Sequence, residues 1–331
     1  MCWGRRCAGR WTRVAEAGRR VVRSLLVLFG ISVLVFLIFF ATPGADPAAR
    51  LAGRGASAET LAAVRHDYGL DQALPVQYAV LMRRLFLSRD LPSFVNRGQL
   101  VVPAVLRAAP VTLALAGGAA LLWLVAGLVI GLVAAAWAGS GLDRAVTMLG
   151  LLGVSVPVFW LGEVVNLVTQ SRLHDPWFAW VPPLGLRAAG WGEWLRGMVL
   201  PWATLALLYA GVYGRVLRAS LVDAYRQDYI RTARAKGIGE GRVLLRHALR
   251  NALVPVLALF GLDLGALIGG GTLLIEVVFG LRGVGKLTYD ALQSLDLAMV
   301  MAAVLYAAFF VVLANAAVDS LQAALDPRRR G

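Results

Sequence analysis

The sequence predicts an all-α integral membrane protein with six transmembrane helices and with both the N- and C-termini in the cytoplasm. The 331 residues are 59% hydrophobic and have a mean hydropathy of +0.70, which is typical of a membrane protein rather than a soluble one. Six apolar runs are each long enough to cross a hydrocarbon core of about 30 Å. About 20 of the 33 lysines and arginines fall in the segments that this topology places inside.

The N-terminal part of the chain is predicted to contain one span and one long outer loop. Residues 1–20 are rich in arginine and are expected in the cytoplasm. Residues 21–41 are long enough for an uncleaved first span, although a signal peptide is also possible for such a start. Two prolines and a glycine end this span at 42–47. Residues 42–100 are polar, and helical patterns at 59–68 and 75–87 predict short helices at the outer face.

The remaining five spans are predicted within a membrane core at 101–320, which a cytoplasmic tail at 321–331 follows. They are expected at about 112–136, 145–168, 200–217, 254–275 and 297–318. The short outer loops between them are poor in cations, whereas the inner loops are rich in arginine. This charge bias places the stretch 223–255 in the cytoplasm.

That cytoplasmic stretch, 223–255, has the pattern of two helices separated by a turn. Tyr225, Tyr229 and Ala233 recur at four-residue spacing with Ile230 beside them, which predicts a short amphipathic helix. Gly237 follows the last turn where a left-handed cap residue belongs, so the helix is expected to end there.

The second helix of this loop is predicted after the break at 239–241. Arg242, Arg246 and Arg250 recur at four-residue spacing, as on a basic helix that lies on a membrane surface. An alternative for the whole loop is a positively charged segment that only orients its neighbours against lipid headgroups.

The residue order in this loop, YIRTARAKG followed by HALRNALVP, resembles the cytoplasmic loop of the membrane subunits of ABC importers, in the dipeptide, oligopeptide and nickel branch. Four further fragments resemble this branch in the correct order: YGLDQALPVQY, VPVFWLG, IEVVFGLRGVGKLTYDAL and LDPRRR. Arg231 stands where the general importer motif has glutamate, and Arg282 stands where many relatives carry proline. The resemblance extends from about residue 20 to residue 330.

This resemblance implies an ABC importer-type core and a coupling helix that docks on an ATP-hydrolysing partner. The residues mapped onto the coupling motif are Tyr229, Ile230, Arg231, Thr232, Ala233, Arg234, Ala235, Lys236 and Gly237. It further implies a second homologous permease subunit, two ABC ATPase subunits and an extracytoplasmic solute-binding protein. ATP and Mg would bind to the ATPase subunits, and no cofactor is expected on this chain. The location implied is the plasma membrane of a prokaryote, and the solute is a peptide or a similar small molecule.

The candidate pathway residues lie in and just after the fifth predicted span. Gly261, Gly265 and Gly269 form a stripe of small residues, which lines a pathway, meets a second subunit or packs within this chain. Asp263 lies between two of these glycines, and a carboxylate at that depth should face protein or water. Glu276 follows in the segment that resembles the outer end of the family's fifth span.

Other classes of function find little support in the residues. No nucleic-acid module, metal-ligand spacing or catalytic constellation is present in the sequence, so neither a metal site nor an enzyme is expected. The glycines near Lys286 do not form a phosphate-binding loop, because GxxxxGK[ST] is absent. The rival interpretation is a stand-alone secondary transporter driven by a gradient, a class that usually shows inverted repeats or a midplane ion site.

Overall fold

The described part of the chain is helical almost throughout. The computed structural model describes residues 4–40, 48–49, 57–67, 69–93, 95–96, 98–171, 175–185 and 190–325. Within these ranges, extended pairing is limited to one isolated antiparallel bridge between Pro92 and Leu100. The predicted break at 42–47 and the arginines at the end of the tail lie outside the described residues.

Twelve helices are numbered in chain order within the described residues. They are α1 (Gly4–Phe40), α2 (Ala58–Asp67), α3 (Leu74–Met82), α4 (Val101–Ala136), α5 (Gly141–Ser155), α6 (Val158–Gln170), α7 (Trp191–Tyr225), α8 (Asp228–Ala235), α9 (Glu240–Gly271), α10 (Leu273–Val278), α11 (Val284–Ser294) and α12 (Leu297–Leu325). Wider π-type turns extend α3 over Arg83–Ser88 and lie within α9 at Val243–Ala248 and Leu267–Gly271.

Four of these helices are long and apolar enough to cross a membrane. They are α4, α7, α9 and the Leu297–Val318 part of α12. The Val22–Ile38 part of α1 is a shorter apolar helix. An all-α, multi-pass membrane protein is therefore confirmed, whereas the count of six spans and the cytoplasmic placement of both termini stay predictions.

The run predicted as the third span is not one continuous helix. It divides into α5 and α6 at Val156 and Pro157, where both residues have extended backbone angles. Proline has no N–H to donate to the preceding turn, and its ring disfavours the helical conformation of the residue before it. Local sterics therefore override the apolar pattern at this point.

The helix predicted after the break at 239–241 begins at Glu240, but it does not end before the fifth predicted span and continues directly into it as α9. The far end of α9 departs from a regular helix at Gly270, which has a φ of 136°. That angle is open to glycine and strained for any other residue. The fifth predicted span, 254–275, is therefore interrupted by a kink, after which α10 begins.

The chain divides into two units. One consists of Met1–Ala108 with Leu287–Ala316, and the other consists of Ala109–Lys286 with Ala317–Gly331. The second unit contains a continuous buried cluster around Trp123, Tyr213 and Leu217. It also contains the candidate coupling and pathway residues.

A close backbone approach joins α5 to α7 in this second unit. A Cβ atom on Gly211 would lie 2.5 Å from the Cα atom of Gly150, and one on Gly150 would lie 2.9 Å from the Gly211 carbonyl oxygen. Two helices can come this close only where both present glycine.

Gly211→Ala is expected to lower the free energy of unfolding by about 1–3 kcal/mol, because the backbone of α5 must shift to admit the methyl group. Thermal unfolding of the purified chain in detergent measures the effect. Gly192→Ala is the matched control in the same helix, since nothing lies within 4 Å of a Cβ there. Equal melting temperatures for the two variants would show that the close contact is absent.

Candidate functional site

Helix α8 has one buried face and one exposed face. Ile230 is completely buried and Ala233 is 5% exposed, and both belong to the apolar cluster that includes Val243 and Ala248. The helix packs against Val243–Ala248 at the start of α9. One face of α8 is thus fixed to the membrane core of its own chain.

The opposite face of α8 is open. The exposed members of the predicted coupling motif are Tyr229, Arg231, Thr232, Arg234, Ala235, Lys236 and Gly237. Tyr229 was predicted on the same face as Ala233, but its side chain is 39% exposed and lies at the edge of the buried face. The helix and its cap therefore present three exposed cations, with a partly exposed tyrosine at the edge, for contact with another protein.

The end of α8 agrees with the sequence prediction, and its start does not. Gly237 has a φ of 74°, and its N–H donates to the Arg234 carbonyl, as in a left-handed helix cap. The helix begins at Asp228, and Tyr225 belongs to the end of α7. The extended backbone of Gln227 redirects the chain, which allows Ile230 to turn inward instead of continuing along α7.

Arg234 joins α8 to the start of α9. Its guanidinium donates two hydrogen bonds to Glu240, at 2.7 and 3.0 Å, and lies 5.3 Å from the centre of the Tyr225 ring. The hydrogen bonds with Glu240 raise the pKa of Arg234 above its ordinary value. Arg234 therefore links the end of α7, helix α8 and the start of α9.

A second ion pair holds the turn between α4 and α5. The Arg218 guanidinium donates to both carboxylate oxygens of Asp143, at 2.8 and 2.6 Å, and the Gly139 N–H donates to the same carboxylate at 2.9 Å. These hydrogen bonds hold the pKa of Asp143 below its ordinary value of 3.8, with the arginine as the main cause. The pair connects the start of α5 to the C-terminal part of α7.

Asp143→Asn is expected to lower the melting temperature at neutral pH, because Arg218 loses its charged partner. A carboxyl group whose pKa is lowered by folding adds stability above its unfolded pKa, and this stability is lost as the pH falls through the folded value. The difference between variant and parent should therefore shrink below about pH 4. Thermal unfolding across pH measures it.

Asp228→Asn is the matched control for this prediction. Asp228 is 95% exposed, and its pair with Arg231 spans 3.5 Å, so little stability should depend on it. A pH-independent effect of Asp143→Asn, or an equal effect of Asp228→Asn, would contradict a role for the Asp143 pair.

Asp263 has a hydrogen-bond partner within the second unit. The Tyr213 hydroxyl donates to its carboxylate at 2.8 Å, and Tyr213 belongs to the aromatic cluster in which Trp123 stacks on Tyr209 at 4.5 Å. Its side chain therefore faces protein, as the cost of a mid-membrane carboxylate predicts. This contact supplies one hydrogen-bond donor and leaves acceptor capacity at the carboxylate.

The glycine stripe on α9 packs, in part, against its own chain. A Cβ atom on Gly261 would lie 1.6 Å from a methyl carbon of Val318, so α9 and α12 touch at this point. Gly265 is buried and Gly269 is half-buried. The packing alternative therefore holds for Gly261, and a role of Gly265 or Gly269 in the pathway stays a prediction.

Glu276 lies at the centre of a hydrogen-bonded cage. It is completely buried, and its Oε1 accepts from the hydroxyl groups of Thr112 and Thr272 at 2.7 and 2.9 Å. Its Oε2 accepts from the Lys286 N–H at 2.9 Å, in the first turn of α11. The carboxylate thus joins α4, α10 and the N-terminus of α11, where a negative charge is favoured.

The Gly-x-Gly pattern next to this cage has a steric cause. A Cβ atom on Gly283 would lie 2.3 Å from the Glu276 carboxylate, and one on Gly285 would lie 2.5 Å from the Leu273 Cα atom. Glycine at both positions lets the chain wrap around the buried carboxylate. The sequence pattern marked this segment, but it did not pair Glu276 with Thr112.

Comparison with known proteins assigns the chain to a family. Residues 127–331 match the model of the binding-protein-dependent transport system inner membrane component, and residues 17–116 match the model of the N-terminal part of such membrane components. The first match alone covers more than half of the chain. The chain belongs to the binding-protein-dependent transport inner membrane component family.

Relatives of this permease cover nearly its whole length. A protein named as a peptide transport system permease of Brucella abortus (strain 2308) is 39% identical over 319 residues, which is 94% of this chain and 98% of the relative. A glutathione transport system permease protein of Pectobacterium atrosepticum is 37% identical and covers 94% and 97%. A probable D,D-dipeptide transport system permease protein of Escherichia coli K12 is 36% identical and covers 92% and 94%. The predicted membership of the peptide and nickel branch of ABC importer permeases is confirmed.

Proposed function

We propose that this permease subunit pairs with a second homologous permease subunit and encloses with it a pathway for peptides or a similar small solute. Two ABC ATPase subunits would bind ATP and Mg beneath it, and an extracytoplasmic solute-binding protein would deliver the solute. The names of the relatives support peptides as the solute class. The assembly would lie in the cytoplasmic membrane of a prokaryote and be surrounded by lipid.

This proposal rests on helix α8, which has one buried face and one exposed face. Its exposed face offers Tyr229, Arg231 and Lys236 to an ATPase subunit, while Ile230 and Ala233 fix its other face to α9. A short helix held in this way moves as a rigid body. Closure of the ATPase pair would therefore displace α8, and the packing against Val243–Ala248 would pass the displacement to α9.

The ion pair of Arg234 with Glu240 strengthens this connection in the proposed mechanism. It joins the end of α8 to the first residue of α9, across the turn at Gly237. Because α9 carries Asp263, Gly265 and Gly269, movement of α8 would act on the proposed pathway residues. Glu276 would act there by holding the N-terminus of α11, since its carboxylate is already occupied by hydrogen bonds.

Purification of the tagged chain from its native membrane in mild detergent tests this function. We expect a homologous membrane subunit and an ATPase with a phosphate-binding loop to co-purify, as identified by mass spectrometry. In the variant Gly237→Asp, the ATPase should no longer co-purify and ATP-dependent uptake should be lost, while the chain remains inserted in the membrane. The substitution strains the left-handed cap of α8 and adds a negative charge at the C-terminal end of this helix. A chain that is recovered alone and moves solute in vesicles without ATP would replace the proposal with a gradient-driven secondary transporter.

A further inference from the structure

The first unit contains a groove of about 610 Å³ between α1 and α12, here called the α1–α12 groove. Its wall is mostly apolar and includes Leu28, Phe29, Leu85, Val105, Leu305 and Phe309. Leu106 and Phe309 at its edge are 60% and 50% exposed, so the described chain does not cover the groove. Both α1, over Val22–Ile38, and α12, over Leu297–Val318, are strongly apolar where they border this groove.

The shape of the groove is fixed by Tyr78. The Ser32 hydroxyl donates to the Phe29 carbonyl at 2.7 Å and accepts from the Tyr78 hydroxyl at 2.6 Å. The Tyr78 ring also meets Phe29 and Phe36 edge to face, at 6.1 and 5.4 Å between ring centres. Of the three hydroxyl groups among the lining residues, those of Ser32 and Tyr78 are thus paired with each other, and Tyr306 supplies the third. Most of the remaining lining side chains are apolar.

The edge of the groove is basic. Arg89 lines it, with an exposed side chain and a backbone φ of 57° that turns the chain at the end of the Arg83–Ser88 segment. Arg107, next to Leu106 in the sequence, does not line the groove, and its Nε donates to the Pro103 carbonyl at 3.1 Å. Among the lining residues, none is acidic, and the neighbouring Asp90 does not line the groove.

We propose that the α1–α12 groove binds an anionic phospholipid, with an acyl chain in the apolar interior and the phosphate against Arg89. An apolar cleft with a cation at one edge is complementary to a molecule with a long hydrocarbon chain and one negative end. A guanidinium also matches a phosphate group in geometry. A transmembrane helix of another protein has the apolar surface but offers no such terminal charge, so the lipid fits the groove better.

Lipid retention by the full chain in its native complex tests the proposal. The complex is purified in mild detergent and titrated with phosphatidylglycerol or phosphatidylethanolamine, and bound lipid is measured by mass spectrometry. Arg89→Gln is expected to weaken phosphatidylglycerol binding about fivefold, the effect of one basic residue at a lipid surface. Ala302→Phe, which fills the groove from α12, should reduce the binding of both lipids. Arg65→Gln, an exposed arginine on α2 outside the groove, is the matched control.

Unchanged phosphatidylglycerol binding in Arg89→Gln would overturn the proposal, and the exposed position of this side chain keeps loss of folding from imitating the expected result. An equal loss of both lipids in that variant would also overturn it, because the arginine would then not recognise negative charge. Cross-links from Phe86→Cys to a second membrane subunit, with no retained lipid, would show that a protein fills the groove instead.

Discussion

Replacing Glu276 with glutamine is expected to lower the free energy of unfolding by about 2–4 kcal/mol. The carboxylate accepts hydrogen bonds from Thr112, Thr272 and the backbone of Lys286, and no solvent reaches it. A glutamine can accept through only one of its two terminal atoms, so its NH₂ group must face a donor. The N-terminus of α11 also loses the negative charge that favours it.

Chemical or thermal unfolding of the purified permease in detergent measures this loss. Glu59→Gln makes the same substitution at an exposed position in α2 and should change the melting temperature little. If Glu276→Gln has the same melting temperature as the parent, the buried cage does not exist in the membrane protein. A further variant, Gly283→Ala, should also destabilise it, because the added methyl group would strike the same carboxylate.

The double variant Tyr229→Ala and Arg231→Glu is expected to reduce ATP-dependent uptake about thirtyfold or more. Arg231 is exposed and Tyr229, at the edge of the buried face, is 39% exposed, so the change is expected to leave the packing of Ile230 and Ala233 intact. Loss of an aromatic residue and an arginine at the centre of an interface typically costs about 2 kcal/mol or more. Uptake of a labelled dipeptide by vesicles that contain the complete importer measures the effect.

Arg242→Glu makes a similar charge reversal on an exposed arginine outside α8, so it is the control for the double variant. The importer that contains Arg242→Glu should take up the labelled dipeptide at the same rate as the parent. Membrane insertion and the melting temperature of the double variant should equal those of the parent. Normal uptake by the double variant would mean that the exposed face of α8 does not contact the ATPase.

Features with a local cause could be predicted from the sequence. The helix cap at Gly237 depends on the residues next to it, and the structure contains the left-handed turn at that position. Long apolar runs likewise predicted helices α4, α7, α9 and α12. The division between α5 and α6 at Pro157 was missed because hydropathy outweighed the proline in the prediction, although proline was the available signal.

Contacts between distant residues could not be predicted in this way. Thr112 and Glu276 are 164 positions apart, and Asp143 and Arg218 are 75 positions apart. No pattern of spacing along one chain pairs such residues, because their contact depends on how complete helices pack. Arg234 is a shorter-range example, since its pairing with Glu240 follows from the turn that brings α9 beside α8.

A cysteine cross-link at position 229 tests the proposed coupling through α8 most directly. The variant Tyr229→Cys is prepared with Cys2 and Cys7 changed to serine, since these are the only cysteines in the sequence. We predict that the exposed cysteine on α8 forms a cross-link to an ATPase subunit in the native membrane, and that Arg242→Cys forms much less. Absence of a cross-link from position 229, in a permease that still takes up solute, would contradict coupling through this helix.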